Sequence, residues 1–280
     1  MRRAVICKFL FRGIAISGLA FLLGCPSSNG GGNGGIVTKL KESTEPKNVV
    51  EPVTAEEAEK AKNQIELAIR AHGGDNLARM RNYLICRQTG KSNVEQQAPF
   101  ATDREWQIAF PDRIYATVIV PNQTTYVWSN PSGGWWRTGA STSELPGELL
   151  EDLQTQLYIF SLFTLTPLRD PQLVLKPLPD TSVGGKPAKA IKVMQKDHPQ
   201  IELDFDAQSN LLVRMFLRRK LPHVGAIEHQ ILLSDHKRFE GIQLPTRWVE
   251  INDGSVKMDL DGAEYRFPSE IPAKLFAKPD

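Results

Sequence analysis

His229 and His236 stand seven residues apart with Asp235 beside the second, a set of side chains able to hold a transition metal or pass a proton. That interval fits neither one helix face nor a short chelating loop, so the spacing predicts solvated strand ends and no metal site. Glu202, Asp204 and Asp206 alternate along one segment and would bind a hard cation if they converged. Ile201, Leu203 and Phe205 fill the opposite parity, which makes the acids the outer, solvated face of a half-buried strand. Cys86 sits in the apolar run Tyr83 to Arg87 and reads as a small buried hydrophobe. Trp135-Trp136 beside a glycine-rich turn predicts one packed ring and leaves the other open between packing and an exposed contact. The chain carries no G-x-S-x-G elbow, H-E-x-x-H, phosphate-binding glycine loop or paired-cysteine zinc motif, so the reading is non-enzymatic with no cofactor.

The strongest chemistry lies at the amino terminus. Arg2, Arg3, Lys8 and Arg12 precede an apolar run from Gly13 to Leu23, with no acid among them. The run is too short for a membrane-spanning helix, which needs roughly 20 apolar residues, and reads as the core of a signal peptide over 1–24. Leu22-Leu23-Gly24-Cys25 resembles the bacterial lipobox, whose cysteine thiol is diacylated before the preceding peptide bond is cut. Cys25 is therefore the expected lipidated first residue and membrane anchor. Acyl chains supply roughly 0.8 kcal/mol per buried CH2, and two or more hold a protein at a bilayer without a spanning helix.

Residues 25–53 begin Cys25-Pro26-Ser27-Ser28-Asn29 and continue through five glycines and polar residues, a composition that reads as a flexible tether. The whole chain has 34 Lys plus Arg against 32 Asp plus Glu. Loss of the four basic residues in 1–24 leaves 30 against 32. The basic excess belongs to the signal, which removes the compositional case for nucleic-acid binding. With Cys7 discarded and Cys25 acylated, Cys86 has no disulfide partner. Residues 54–280 suffice for one domain with a sizeable core.

Its elements follow from periodicity. Thr54 with Glu56 and Glu57 predicts a helix start, Ala58, Ala61, Ile65, Ala68 and Ile69 its buried stripe, and Gly73-Gly74 its end. Asp75 or Asn76 then caps a short helix carrying Leu77 and Met80. From Tyr83 the period shifts to two, through Trp106 and Ile108, Ile114 to Val120, and Thr125 to Ser129. A second helix is expected between Pro146 and about Phe163, its second half apolar nearly all round. Strands resume to the end, with Asn252-Asp253-Gly254 the strongest hairpin signal. Ten or eleven strands, two helical regions and no βαβ alternation predict an α+β domain on one large, curved antiparallel sheet.

This order of elements resembles the outer-membrane lipoprotein-sorting proteins of the LolA/LolB-like type. The residues that carry the likeness are Ala71-His72-Gly73-Gly74, the hairpin Leu203-Asp204-Phe205-Asp206 with Leu211-Leu212-Val213, the segment Asp235 to Thr246, and the ending Ile271-Pro272 with Phe276 and Pro279. The resemblance covers roughly residues 54 to 280. It implies an unclosed, half β-barrel with helices covering the open side, enclosing an apolar cavity that accepts acyl chains, and in carrier members a lipoprotein cargo.

Residues expected to line such a cavity are Trp106, Ile108, Val118, Tyr126, Trp128, Phe160, Phe163, Phe205, Met215 and Leu217. The alternative for each is plain core. Two functional readings stay open. One is an envelope lipoprotein facing the periplasm, on the outer or inner membrane, that binds a lipid or lipidated protein; the other is a non-catalytic sensor or scaffold acting through a protein partner.

Overall fold

The computed structural model describes residues 50–94, 97–221 and 224–279. The predicted signal peptide, Cys25 and all of the tether before Val50 lie outside the described residues. Within the stretch assigned to the tether, Glu51 already bridges Lys176 and Lys192, each at 2.8 Å, which fixes the chain to the sheet just before the first helix.

Helix α1 (Ala55–His72) starts at a full capping box: Thr54 accepts from the Glu57 amide, and the Glu57 carboxylate accepts from the Thr54 amide. It ends at Gly73, whose φ of 128° is open to glycine. A Cβ there would come within 2.6 Å of the Gly241 carbonyl oxygen, so the helix end and a distant hairpin turn meet backbone to backbone. The 3-10 turn Gly74–Met80 follows and buries Leu77 and Met80. It has no side-chain cap; Asn76 instead donates from Nδ2 to the Gly73 carbonyl.

Among the described residues fourteen strands form one antiparallel sheet. The first six make a meander: β1 (Tyr83–Ser92), β2 (Phe100–Ala109), β3 (Arg113–Val120), β4 (Gln123–Asn130), β5 (Gly133–Thr138) and β6 (Ser141–Glu144). Helix α2 (Gly147–Phe163) comes next, followed by β7 (Val174–Pro177), β8 (Thr181–Val183), β9 (Lys186–Met194), β10 (Ile201–Asp206), β11 (Leu212–Leu221), β12 (Gly225–Phe239), β13 (Ile242–Asn252) and β14 (Ser255–Arg266). The spatial order is β6-β5-β4-β3-β2-β1-β14-β13-β12-β11-β10-β9-β7, with β8 also on β9. Pairing of β1 with β14 joins the two meanders, and the edges β6 and β7 stay apart, so the sheet is a large open one. The hairpin at Asn252-Asp253-Gly254 forms as expected, with positive φ at Asp253 and Gly254.

α2 is the link between the two edges of the sheet. It therefore crosses the concave side, touching β3 and β4 from one half and β11 from the other. Leu149, Leu153, Leu157, Ile159, Phe160, Leu162 and Phe163 are all buried, the all-round burial that its apolar second half predicts. On the convex side the C-terminal segment adds a smaller cluster of Ala109, Ile271 and Phe276.

Candidate functional site

The site with the most chemistry is the interior between the concave face and α2. Pairing register decides which side chains reach it, because opposite residues in an antiparallel pair share a face. Trp106, Ile108, Val118, Phe205, Met215 and Leu217 all point inward and join Phe160 and Phe163 of α2 in one buried cluster. Tyr126 and Trp128 do not join them. They pair with Thr117 and Tyr115, which puts them on the convex face. There Trp128 donates to the Ala277 carbonyl at 2.9 Å, and the Arg137 guanidinium lies 4.5 Å from the Tyr126 ring centre. In Thr125 to Ser129 the two large rings share one parity, which alternation alone assigns to the interior, whereas Val127 and Ser129 take that side, opposite Ala116 and Ile114.

The interior is divided. Around the second half of α2 it is apolar and aromatic: Phe160 lies 5.3 Å from Trp106, and Phe163 lies 4.9 Å from Trp248, centre to centre. The polar tips of Trp248 and Tyr265 are satisfied here, whereas the Tyr158 hydroxyl is buried with no partner among the described residues. Trp248 donates to the Tyr265 hydroxyl at 2.8 Å, and that hydroxyl donates to the Pro245 carbonyl at 2.7 Å. Cys86 is fully enclosed beside them, and burial pushes its thiol up to about 12, which makes it an inert packing residue.

Beside the first half of α2 the interior is charged. Arg104, 2% exposed, forms an ion pair with Glu250 and donates from Nε to Gln88 at 2.6 Å. Arg219 forms an ion pair with Asp152 of α2 and reaches the Asp152 carbonyl at 3.4 Å. His229 stands opposite Leu217 on the same face, 1% exposed, with Nδ1 2.7 Å from Asn252 Oδ1. Burial lowers its affinity for a proton, and the Arg219 charge lowers it further. Burial likewise raises the Asp152 carboxyl above the ordinary range, against the pull of Arg219. The polar atoms Arg219 Nε and Nη1, His229 Nε2 and Gln88 Nε2 are buried with no partner among the described residues.

His229 is thus an interior residue and not the solvated strand end that its spacing predicts. Sequence reasoning missed this whole group, although a signal was present. Arg104 is in phase with Trp106 and Ile108, Arg219 with Met215, Leu217 and Leu221, His229 with Ile227 and Ile231, and Glu250 with Trp248. A charge on the buried parity of a strand must find a partner across the core.

Two other polar groups also differ from expectation. Asp204 is fully buried and paired with Arg214, which also holds Glu202 at 2.6 Å, so this face of β10 is not a row of solvated acids. Burial, partly offset by Arg214, raises the Asp204 carboxyl to about 6. His236 belongs to a structural bracket. Its Nε2 donates to the Leu212 carbonyl at 3.1 Å, while His72 Nε2 accepts from the Leu212 amide at 3.3 Å. Among the described residues no group of three or more His, Cys, Asp or Glu is placed to hold a metal ion.

A half-open groove of about 800 Å³ meets the C-terminal end of α2, bordered by Ile69, Leu77, Phe110, Ser161, Thr164 and Arg169. It brings solvent next to the end of the helix that carries Phe160 and Phe163.

No protein-family model matches the sequence, and no curated protein sequence matches it. Among solved structures, the chain is similar to a DUF1329 family protein from Desulfovibrio piger at 12% identity, covering 78% of this chain and 97% of that one with a TM-score of 0.48. A putative outer membrane lipoprotein-sorting protein domain from Vibrio parahaemolyticus matches at 12% identity, 77% and 97% coverage and a TM-score of 0.48. A third, from Nitrosomonas europaea, matches at 9% identity, 78% and 97% coverage and a TM-score of 0.48. That third structure is described as a LolA superfamily protein.

Proposed function

We propose that this chain is a cell-envelope lipoprotein, anchored through acyl groups on Cys25, that binds an acyl chain of a lipid or lipidated protein beneath α2. The observation that carries the reading is the position of α2. Its apolar second half fills the open side of the sheet, contributing Phe160 and Phe163 to an interior lined by Trp106 and Trp248. A hydrocarbon chain offers that surface the same chemistry, at roughly 0.8 kcal/mol per buried CH2. Helix and chain are then alternative occupants of one apolar trough, and the groove at Ser161 and Thr164 is where entry would begin. The role is non-catalytic, and the domain faces the periplasm.

Two measurements test this. Mass spectrometry of the amino-terminal peptide should find a diacylglyceryl-modified Cys25 that disappears, with membrane attachment, in Cys25→Ser. A brominated fatty acid should quench the fluorescence of Trp106 and Trp248; a saturating dose without quenching would remove the binding role.

A second reading draws on the close packing of the same interior. A sheet whose inner residues are all in contact also suits a sensor or scaffold that works through a protein partner. An interior that refuses every amphiphile while the protein co-purifies with one envelope protein would favour it.

A further inference from the structure

We propose that Arg219 is the headgroup site of the interior, and that it takes an oxyanion of an anionic amphiphile in the place now held by the Asp152 carboxylate. The inference rests on the acyl-binding reading and specifies the ligand class.

Arg219 is more than nine-tenths buried, and its guanidinium is used on one side only. Nη2 serves Asp152, while Nε and Nη1 have no partner among the described residues. A guanidinium is a flat fork that fits two oxygens of a carboxylate or phosphate, and burial without partners is costly for each idle N–H. His229 Nε2 and Gln88 Nε2 are buried and idle on the same concave face. The apolar residues Met215, Leu217 and Ile231 continue from this point along β11 and β12, so an anion held here would have its chain on hydrocarbon.

The two ion pairs of the interior differ in ownership. Arg104 and Glu250 both belong to the sheet and stay together whatever α2 does. Arg219 belongs to the sheet and Asp152 to the helix. When α2 gives way to a ligand, it takes its carboxylate along and leaves a guanidinium that cannot shed its proton in apolar surroundings. A neutral amphiphile leaves that charge bare. An anionic one replaces the departing carboxylate with its own. Asp152 is therefore a built-in competitor, and the charge it leaves behind selects for anions. A fatty-acid carboxylate and a phospholipid phosphate present the same oxygens to this fork.

The test uses the whole mature chain carrying Cys25→Ser, with palmitate, lysophosphatidic acid and neutral monopalmitoylglycerol as probes. The protein should bind one or both anions about tenfold or more tighter than the neutral probe, in line with charge-assisted pairing. The stronger of the two anions identifies the source. Asp152→Asn should tighten anion binding about fivefold or more beyond any change for the neutral probe, because a competing charge has been removed. Arg219→Lys keeps a cation for Asp152 but loses the fork, and should erase most of the anion preference. Circular dichroism and the urea midpoint check that both variants are folded. Equal tightening for all three probes in Asp152→Asn would mean a loosened helix only and would overturn the inference. Neutral and anionic probes bound equally by the unchanged protein would overturn it while leaving acyl binding intact. No binding of any probe, in any variant, would remove both.

Discussion

Arg219 of β11 and Asp152 of α2 form a buried ion pair across the interior, by which a charged side chain of the sheet holds the helix that crosses it. Arg104 and Glu250 make a second buried pair within the sheet, and the two should respond differently to mutation. Glu250→Ala strands a guanidinium that stays charged at any working pH, at about 3–5 kcal/mol. Arg219→Met strands Asp152, whose carboxyl burial already pushes upward, so it can take up a proton and the loss should be nearer about 2 kcal/mol. Urea midpoints should rank the variants in that order, and Arg104→Met with Glu250→Leu together should recover most of the loss.

His72 supplies a pH signature. Its Nδ1 donates to the Ala68 carbonyl at 2.8 Å and its Nε2 accepts from the Leu212 amide, an arrangement open only to the neutral ring. Burial holds its pKa down at about 4 against an ordinary 6.5. Between those values the unfolded chain binds the proton and the folded one does not, so this contribution to stability is present above about pH 6.5 and is lost as pH falls toward 4. His72→Gln should be less stable than the unchanged protein at pH 7.5, and the gap should narrow steadily down to pH 4.5. A gap that stays constant would mean that His72 titrates normally.

Phe160 fills the trough between Trp106 and Trp248 with no exposed surface. Phe160→Ala should cost about 3–5 kcal/mol through lost burial and the cavity left behind. Under the acyl-binding account a fatty acid occupies that cavity, so palmitate should raise the melting temperature of Phe160→Ala more than that of the unchanged protein.

Gly73→Ala tests the meeting of α1 with the β12–β13 turn. The new methyl would sit 2.6 Å from the Gly241 carbonyl oxygen on a backbone at φ 128°, and the loss should be roughly 3 kcal/mol. Hydrogen exchange should quicken at the end of α1 and at Gly241 together.

The single thiol of a Cys25→Ser mature chain is Cys86, enclosed against Tyr265 and Trp106. It should resist a thiol reagent in buffer and react at once in denaturant. Rapid labelling of the native protein would mean that the interior opens far more often than this packing allows.

The parts of the fold legible in the sequence are those where one local rule acts alone. The Thr54 cap, the Asp253-Gly254 turn and the inward alternation of Leu203 and Phe205 each need no distant partner, and each is found as read. β6 was illegible because Ser141 to Glu144 are polar and exposed throughout, an edge strand with no buried parity to show. Tyr126 and Trp128 fell on the convex face because the C-terminal segment supplies an apolar cover there, from more than a hundred residues away. The charged half of the interior escaped for the same reason. Arg104 stands on the buried parity of its own strand, but the partner such a charge needs, Glu250, comes from β13, which no local rule brings to β2.

The most direct test of the central claim is native mass spectrometry, followed by organic extraction, of the mature chain carrying Cys25→Ser and purified without detergent. The account predicts a bound lipid or acylated protein, released by a fluorescent fatty acid that takes its place. A protein that emerges empty and also refuses the fluorescent probe would contradict it.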